Sequence, residues 1–325
     1  MRVSLVACAA VAVAVPTALA VPTGLGRSDG ATGALRPQHA AVVVAAAPVA
    51  TPQPRLVAAA PVGAAPDPGA LNAAVLPKPI PPAARRVLLY GDSLAWEARG
   101  PFTATLAAAG ITQVTTRTFG GTAICDWFDQ MRADEAAIQP DAVVVEFSGN
   151  ALTPCMKALD GSPLETEAYF AKYLQDAQTV RRIFPVTTTL YFAGSPITLR
   201  ATLRHDPTTA RLNWIYAALS VTSPNVRYID AGAAVTLHGA WTHTLPCLPG
   251  EPCTGGTDTT GTPVDVVRAP DGAHFCPVAP PAVRGVVPTC PVYSAGADRF
   301  GTAMADPVIR DLVGPLAPGS SPANL

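Results

Sequence analysis

From Arg85 onward the chain alternates short apolar runs with stretches of helical periodicity, and this rotation narrows the choice of fold more than any other feature. The runs at 87–90, 113–119, 142–147, 187–192 and 226–229 have the length of strands. Helical patterns fall between them at 95–109, interrupted by Pro101, and at 127–138, 165–184 and 208–220, with a last one at 295–312. Strand and helix in strict rotation predict an α/β fold: a five-stranded parallel sheet covered on both faces, three layers in all. Such sheets place their sites at the carboxyl ends of the strands.

The first run ends in Gly91-Asp92-Ser93-Leu94. Gly91 breaks the strand, so Ser93 stands where strand gives way to helix. Its hydroxyl is lifted out of the sheet, and its backbone N–H faces any charge that develops nearby. The second run is followed by Phe119-Gly120-Gly121-Thr122, where missing side chains let the backbone approach a ligand, although paired glycines are also ordinary loop chemistry. The third leads into Ser148-Gly149-Asn150, and an asparagine amide can donate to an oxyanion without carrying charge, although Asn is also a common turn former. Far downstream lies Asp271-Gly-Ala-His274. A carboxylate three residues before a histidine can accept from one ring nitrogen and leave the other to take a serine proton. His39, His205, His238 and His243 lack an acid at that spacing, although His205 adjoins Asp206.

In this order the four blocks resemble those of the SGNH hydrolase superfamily, the GDSL esterases and lipases, and the resemblance spans about 85–314. It implies a flavodoxin-like fold with Ser93 as nucleophile, His274 as general base and acid, and Asp271 as its orienter. The implied oxyanion donors are the N–H of Ser93, the N–H of Gly121 and the side chain of Asn150, with Gly120 the rival of Gly121. Ala151 departs from the pattern, since an aspartate often follows the asparagine. The activity implied is hydrolysis of small acyl esters, acylated glycans or lipid esters, with no metal or organic cofactor. Two alternatives stand beside it: an O-acyltransferase that passes the group to a cell-wall polysaccharide, and an exported binding protein without activity. Gly91-Asp-Ser-Leu-Ala95 also approaches the G-x-S-x-G elbow of another hydrolase fold. There the serine follows a strand well inside the sheet, and acid and histidine sit on separate loops, unlike the order here.

Outside this region, Arg2 and the uncharged stretch closing on Ala18-Leu19-Ala20 read as a signal peptide over 1–20, with an uncleaved anchor as the alternative. Residues 21–84, rich in Ala, Val and Pro, read as a disordered linker, 85–315 as the catalytic domain and 316–325 as a flexible tail. The expected location is secreted or in the cell envelope, with a cell-wall or membrane-surface association open and a monomer expected. Past Cys8 six cysteines remain, an even number that reads as three disulfides in an exported chain. The expected pairs are Cys125 with Cys155, Cys247 with Cys253, and Cys276 with Cys290. A zinc site of Cys247, Cys253, His274 and Cys276 is the alternative, at a spacing that matches no standard site. The connection 231–270, rich in Gly, Thr and Pro, is expected to be a structureless loop that walls the substrate pocket, with Trp241 in it; Trp127 is a second pocket candidate. A net charge of −1 without a basic stripe argues against nucleic acid, and 49% hydrophobic against 14% charged residues is ample for a core.

Overall fold

The computed structural model describes residues 80–278 and 289–314. The signal segment, nearly all of the linker and the tail therefore lie outside the described residues. Strands β1 (Arg86–Gly91), β2 (Gln113–Thr118), β3 (Ala142–Glu146), β4 (Thr189–Ala193) and β5 (Val226–Ile229) form one parallel sheet in the order β2-β1-β3-β4-β5. Helices α1 (Ser93–Ala108), α2 (Phe128–Ile138), α3 (Thr166–Ile183), α4 (Leu199–Arg204), α5 (Thr208–Val221) and α6 (Ala295–Val313) complete it.

The pattern of side chains explains the layers. β1 and β3 are almost continuously apolar because both of their faces are covered. Val87, Leu89 and Val144 point to one face, where Phe102 of α1 and Phe300 and Met304 of α6 meet them. Leu88, Tyr90, Val143 and Val145 point to the other, against Met131 of α2, Phe170 and Tyr173 of α3, and Tyr216 of α5. Alternation at period two thus builds two cores on one sheet, each large side chain contributing roughly 1.5–3 kcal/mol by burial. α1 and α6 come close enough that a methyl on Gly301 would lie 2.6 Å from the carbonyl oxygen of Ala98.

Helix starts follow capping chemistry. The Asp92 side chain accepts from Leu94 N at the head of α1, and Ser294 does the same for Ala297 N in α6. Pro101 sits within α1 without ending it, so the helix runs unbroken from Ser93. The five strands and five of the six helices are the expected ones, while α4 was not foreseen.

The connection 231–270 departs from expectation. It holds a 3-10 turn at Ala231–Val235 and an antiparallel pair, β6 (Thr244–Pro246) with β7 (Val264–Val266). Three-residue strands beside Pro246 and Pro263 leave no readable alternation. Leu245 and Val264 are buried in the pair, and Asp265 accepts from Thr254 N of the loop between the strands. Cysteines pair as 125–155, 247–253 and 276–290, the three expected disulfides. No described helix is long and apolar enough to cross a membrane.

Candidate active site

β1 lies between β2 and β3, so the chain leaves the sheet in opposite directions on either side of it and opens a crevice at its carboxyl end. Gly91 fills that end because nothing larger fits: a Cβ there would lie 2.7 Å from the carbonyl oxygen of Glu146. Asp92 then caps α1 and Ser93 becomes its first residue.

His274 arrives from the loop after β7. Its Nε2 lies 2.9 Å from Ser93 Oγ across a sequence separation of 181, and its Nδ1 lies 2.6 Å from Asp271 Oδ2. The other Asp271 oxygen accepts from Ala273 N at 2.8 Å and His274 N at 3.0 Å. Burial pushes the Asp271 carboxyl up, but those N–H donors and the imidazole outweigh it and hold the group below its usual range. Gly272 between the two adopts φ +72, and a Cβ would strike Leu199 at the start of α4.

Several groups brace this loop. Trp241 Nε1 and Leu199 N donate to the Gly272 carbonyl at 3.0 and 2.9 Å. Glu97, one turn past Ser93 on α1, accepts from Phe275 N at 2.6 Å and Cys276 N at 3.2 Å. Burial raises the Glu97 carboxyl above its usual range, only partly offset by the Phe275 N–H. Ser294 Oγ donates to the Phe275 carbonyl, and Cys276–Cys290 closes the same segment.

The loop after β3 is held by tyrosines. Tyr169 and Tyr173 of α3 donate to the carbonyls of Gly149 and Asn150, each at 2.8 Å, and Tyr216 of α5 donates to that of Phe147 at 3.2 Å. Gly149 has φ +109 and lies so close to Tyr169 that a Cβ would sit 2.6 Å from its hydroxyl. Asn150 Nδ2 donates to Asp92 Oδ2 at 2.8 Å.

Of the paired glycines, Gly120 packs beside Ser93: a Cβ there would lie 3.6 Å from Ser93 Cβ and 3.3 Å from the Trp96 ring. The same point at Gly121 meets only Leu152 within 4 Å. Trp127 rests edge-on against Tyr90 and donates to Thr122 Oγ1, so it anchors the glycine loop. Cys125–Cys155 ties this loop to the segment after Asn150.

The four zinc candidates are spent elsewhere: Cys247 and Cys276 are in separate disulfides, Cys253 pairs with Cys247, and His274 faces Ser93. Glu97 with Cys276 and Cys290, and Asp265 with Cys247 and Cys253, cluster within ligand distance among the described residues, yet their cysteines are already bonded to each other.

Sequence reasoning missed Asp92 as an acceptor, Glu97, Glu146 and the three tyrosines. Glu146, a lone carboxylate ending an apolar strand, and Tyr169-Tyr173 at one-turn spacing were readable signals.

The sheet order is the flavodoxin-like one, with the four blocks at strand ends and before the last helix. No protein-family model matches the sequence, and no curated protein matches it significantly. Among solved structures it is similar to the lipase/acylhydrolase from Enterococcus faecalis, at 15% identity and a TM-score of 0.45 over 72% of this chain and 100% of that one. It is similar also to the C-terminal catalytic domain of peptidoglycan O-acetyltransferase A from Streptococcus pneumoniae, at 13% identity and 0.41 over 70% and 95%. An acetylxylan esterase from Geobacillus stearothermophilus overlaps at 12% identity and 0.35, over 46% and 77%.

Proposed function

We propose that the protein is an exported serine esterase that cleaves carboxylic esters, with Ser93, His274 and Asp271 as its triad. The observation that carries this reading is the unbroken line from Ser93 Oγ through His274 Nε2 and Nδ1 to Asp271 Oδ2, with steps of 2.9 and 2.6 Å. Ser93 Oγ attacks the ester carbonyl while His274 Nε2 takes its proton, and the carbonyl oxygen becomes an oxyanion. His274 returns the proton to the leaving alkoxide, releasing the alcohol and leaving an acyl-serine. Water then attacks the acyl group by the same route and frees the acid. Asp271 holds Nδ1–H and stabilises the imidazolium throughout. The oxyanion is received by the N–H of Ser93, the Asn150 amide and an N–H of the Gly120-Gly121 pair. Three disulfides agree with export.

Nitrophenyl esters of increasing acyl length, given to the wild type and Ser93→Ala, test the reading. Turnover by the wild type and a loss on the order of 10⁴-fold or more in the variant are expected. Equal rates in the two proteins would sink it. Adding an oligosaccharide and looking for acylated product separates hydrolysis, the expected outcome, from transfer to a sugar hydroxyl.

A further inference from the structure

We propose that Asp92 is the positioning residue of the oxyanion pocket: its buried carboxylate holds Asn150 Nδ2, and so obliges that amide to present N–H and not C=O to the reacting carbonyl. The inference rests on the esterase reading and adds to it the group that orients one of its donors.

Asp92 is fully buried, and its two oxygens have different tasks. Oδ1 accepts from Leu94 N at 3.0 Å, which is all that capping α1 requires. Oδ2 faces the opposite way, toward the loop after β3, and accepts from Ser148 N at 2.7 Å, Ser148 Oγ at 2.6 Å and Asn150 Nδ2 at 2.8 Å. A capping residue alone would not need that second set.

An asparagine amide can occupy the same space in two orientations, one offering N–H and the other C=O. Only the first stabilises an oxyanion. A carboxylate cannot accept from a carbonyl oxygen, so an ionised Asp92 excludes the second orientation. One Nδ2 hydrogen is used on Asp92, and the other remains for substrate. Tyr173 completes the restraint by holding the Asn150 backbone carbonyl at 2.8 Å.

Asp92 must be charged for this to work, and a second buried acid ensures it. Glu146 lies beside it, its Oε2 accepting from Ala95 N at 3.1 Å and its Oε1 from Ser195 Oγ at 2.8 Å. Two acids buried side by side do not both ionise. Burial raises the Asp92 carboxyl too, against the Ser148 and Leu94 donors that lower it, but Asp92 takes four donors and Glu146 two, so the charge settles on Asp92 and the proton on Glu146. In keeping with this, burial and the neighbouring Asp92 charge push the Glu146 carboxyl well above its usual range.

The test is a double-mutant cycle on nitrophenyl acetate with Asp92→Asn, Asn150→Ala and the pair. An asparagine at 92 can donate to the Asn150 carbonyl and so permits the wrong orientation. Asp92→Asn should lower kcat roughly 10- to 100-fold with little change in KM, as loss of an orienting partner does at other sites. On the Asn150→Ala background the same change should cost less than about threefold, because the group it positions is already gone. An equal cost on both backgrounds, or undiminished kcat in Asp92→Asn, overturns the proposal.

Side-chain NMR of Asn150 in the wild type gives a readout that needs neither activity nor a folded variant. One Nδ2 proton should be shifted downfield and protected from exchange, while two equivalent, rapidly exchanging protons overturn the assignment. If the wild type cleaves no ester, the esterase reading fails and this spectrum still decides the role of Asp92.

Discussion

Asn150 and Glu146 are the residues through which the site can be questioned one side chain at a time. On the proposed mechanism Asn150→Ala removes a neutral donor from the developing oxyanion and should reduce kcat about 10²- to 10³-fold, with an unchanged circular dichroism spectrum as the control. Glu146 is a matter of linkage. Burial and the Asp92 charge raise its folded pKa well above the ordinary 4.5, so the stability it contributes is fully present below 4.5 and is lost as pH climbs through the raised value. Urea midpoints of the wild type should therefore decline above the ordinary carboxylate range. Glu146→Gln, which has no proton to lose, should flatten that decline. A wild-type curve no steeper than the variant's would show that Glu146 is not held protonated. The sequence made Ser93 and His274 visible because each sits in a short, chemically distinctive motif. It did not reveal Glu97 as the clamp on Phe275 N, since an acid on the second turn of a helix normally faces water.

Helix contacts and crosslinks set the next tier. Gly301 lets α6 rest directly on α1, and the nearest atoms to an added methyl are the backbone of Ala98 and Phe102 at 2.6 and 2.8 Å. Backbone cannot step aside as a side-chain tip can. Gly301→Ala should cost about 1–3 kcal/mol by overpacking, despite the better helix propensity of alanine. Calorimetry should record a fall of several degrees, at roughly 2–4 °C per kcal/mol for a domain of this size. Cys125–Cys155 joins the glycine loop to the Asn150 loop. Mild reduction, or Cys125→Ser with Cys155→Ser, should lower ester turnover at temperatures where the domain is still folded; reduced protein with full activity would refute the bracing role. Elements with a long, clear period were legible in advance, as α3 and β3 show. The β6–β7 pair was not, because its strands are too short for alternation to register and their partners lie well apart in the chain, Pro246 opposite Val264 and Thr244 opposite Val266 at the ends.

For the molecule as a whole, the described parts of both cores and the site lie within 80–314, which makes that stretch the unit to test. Residues 80–314 expressed alone should match the full chain in melting temperature and ester turnover, and a large loss in either would assign the preceding segment a part in the fold. By itself the sequence determined the rotation of strand and helix, the parallel sheet and the four blocks at its edge, because hydrophobic period, caps and turn residues act over a few neighbours. Tertiary structure alone decided that His274 meets Ser93 from 181 residues away, that Asp92 faces Asn150, and that two helices lend tyrosines to one loop. Such partnerships depend on how distant segments pack against a shared sheet, and no local period encodes which side chains that packing brings together.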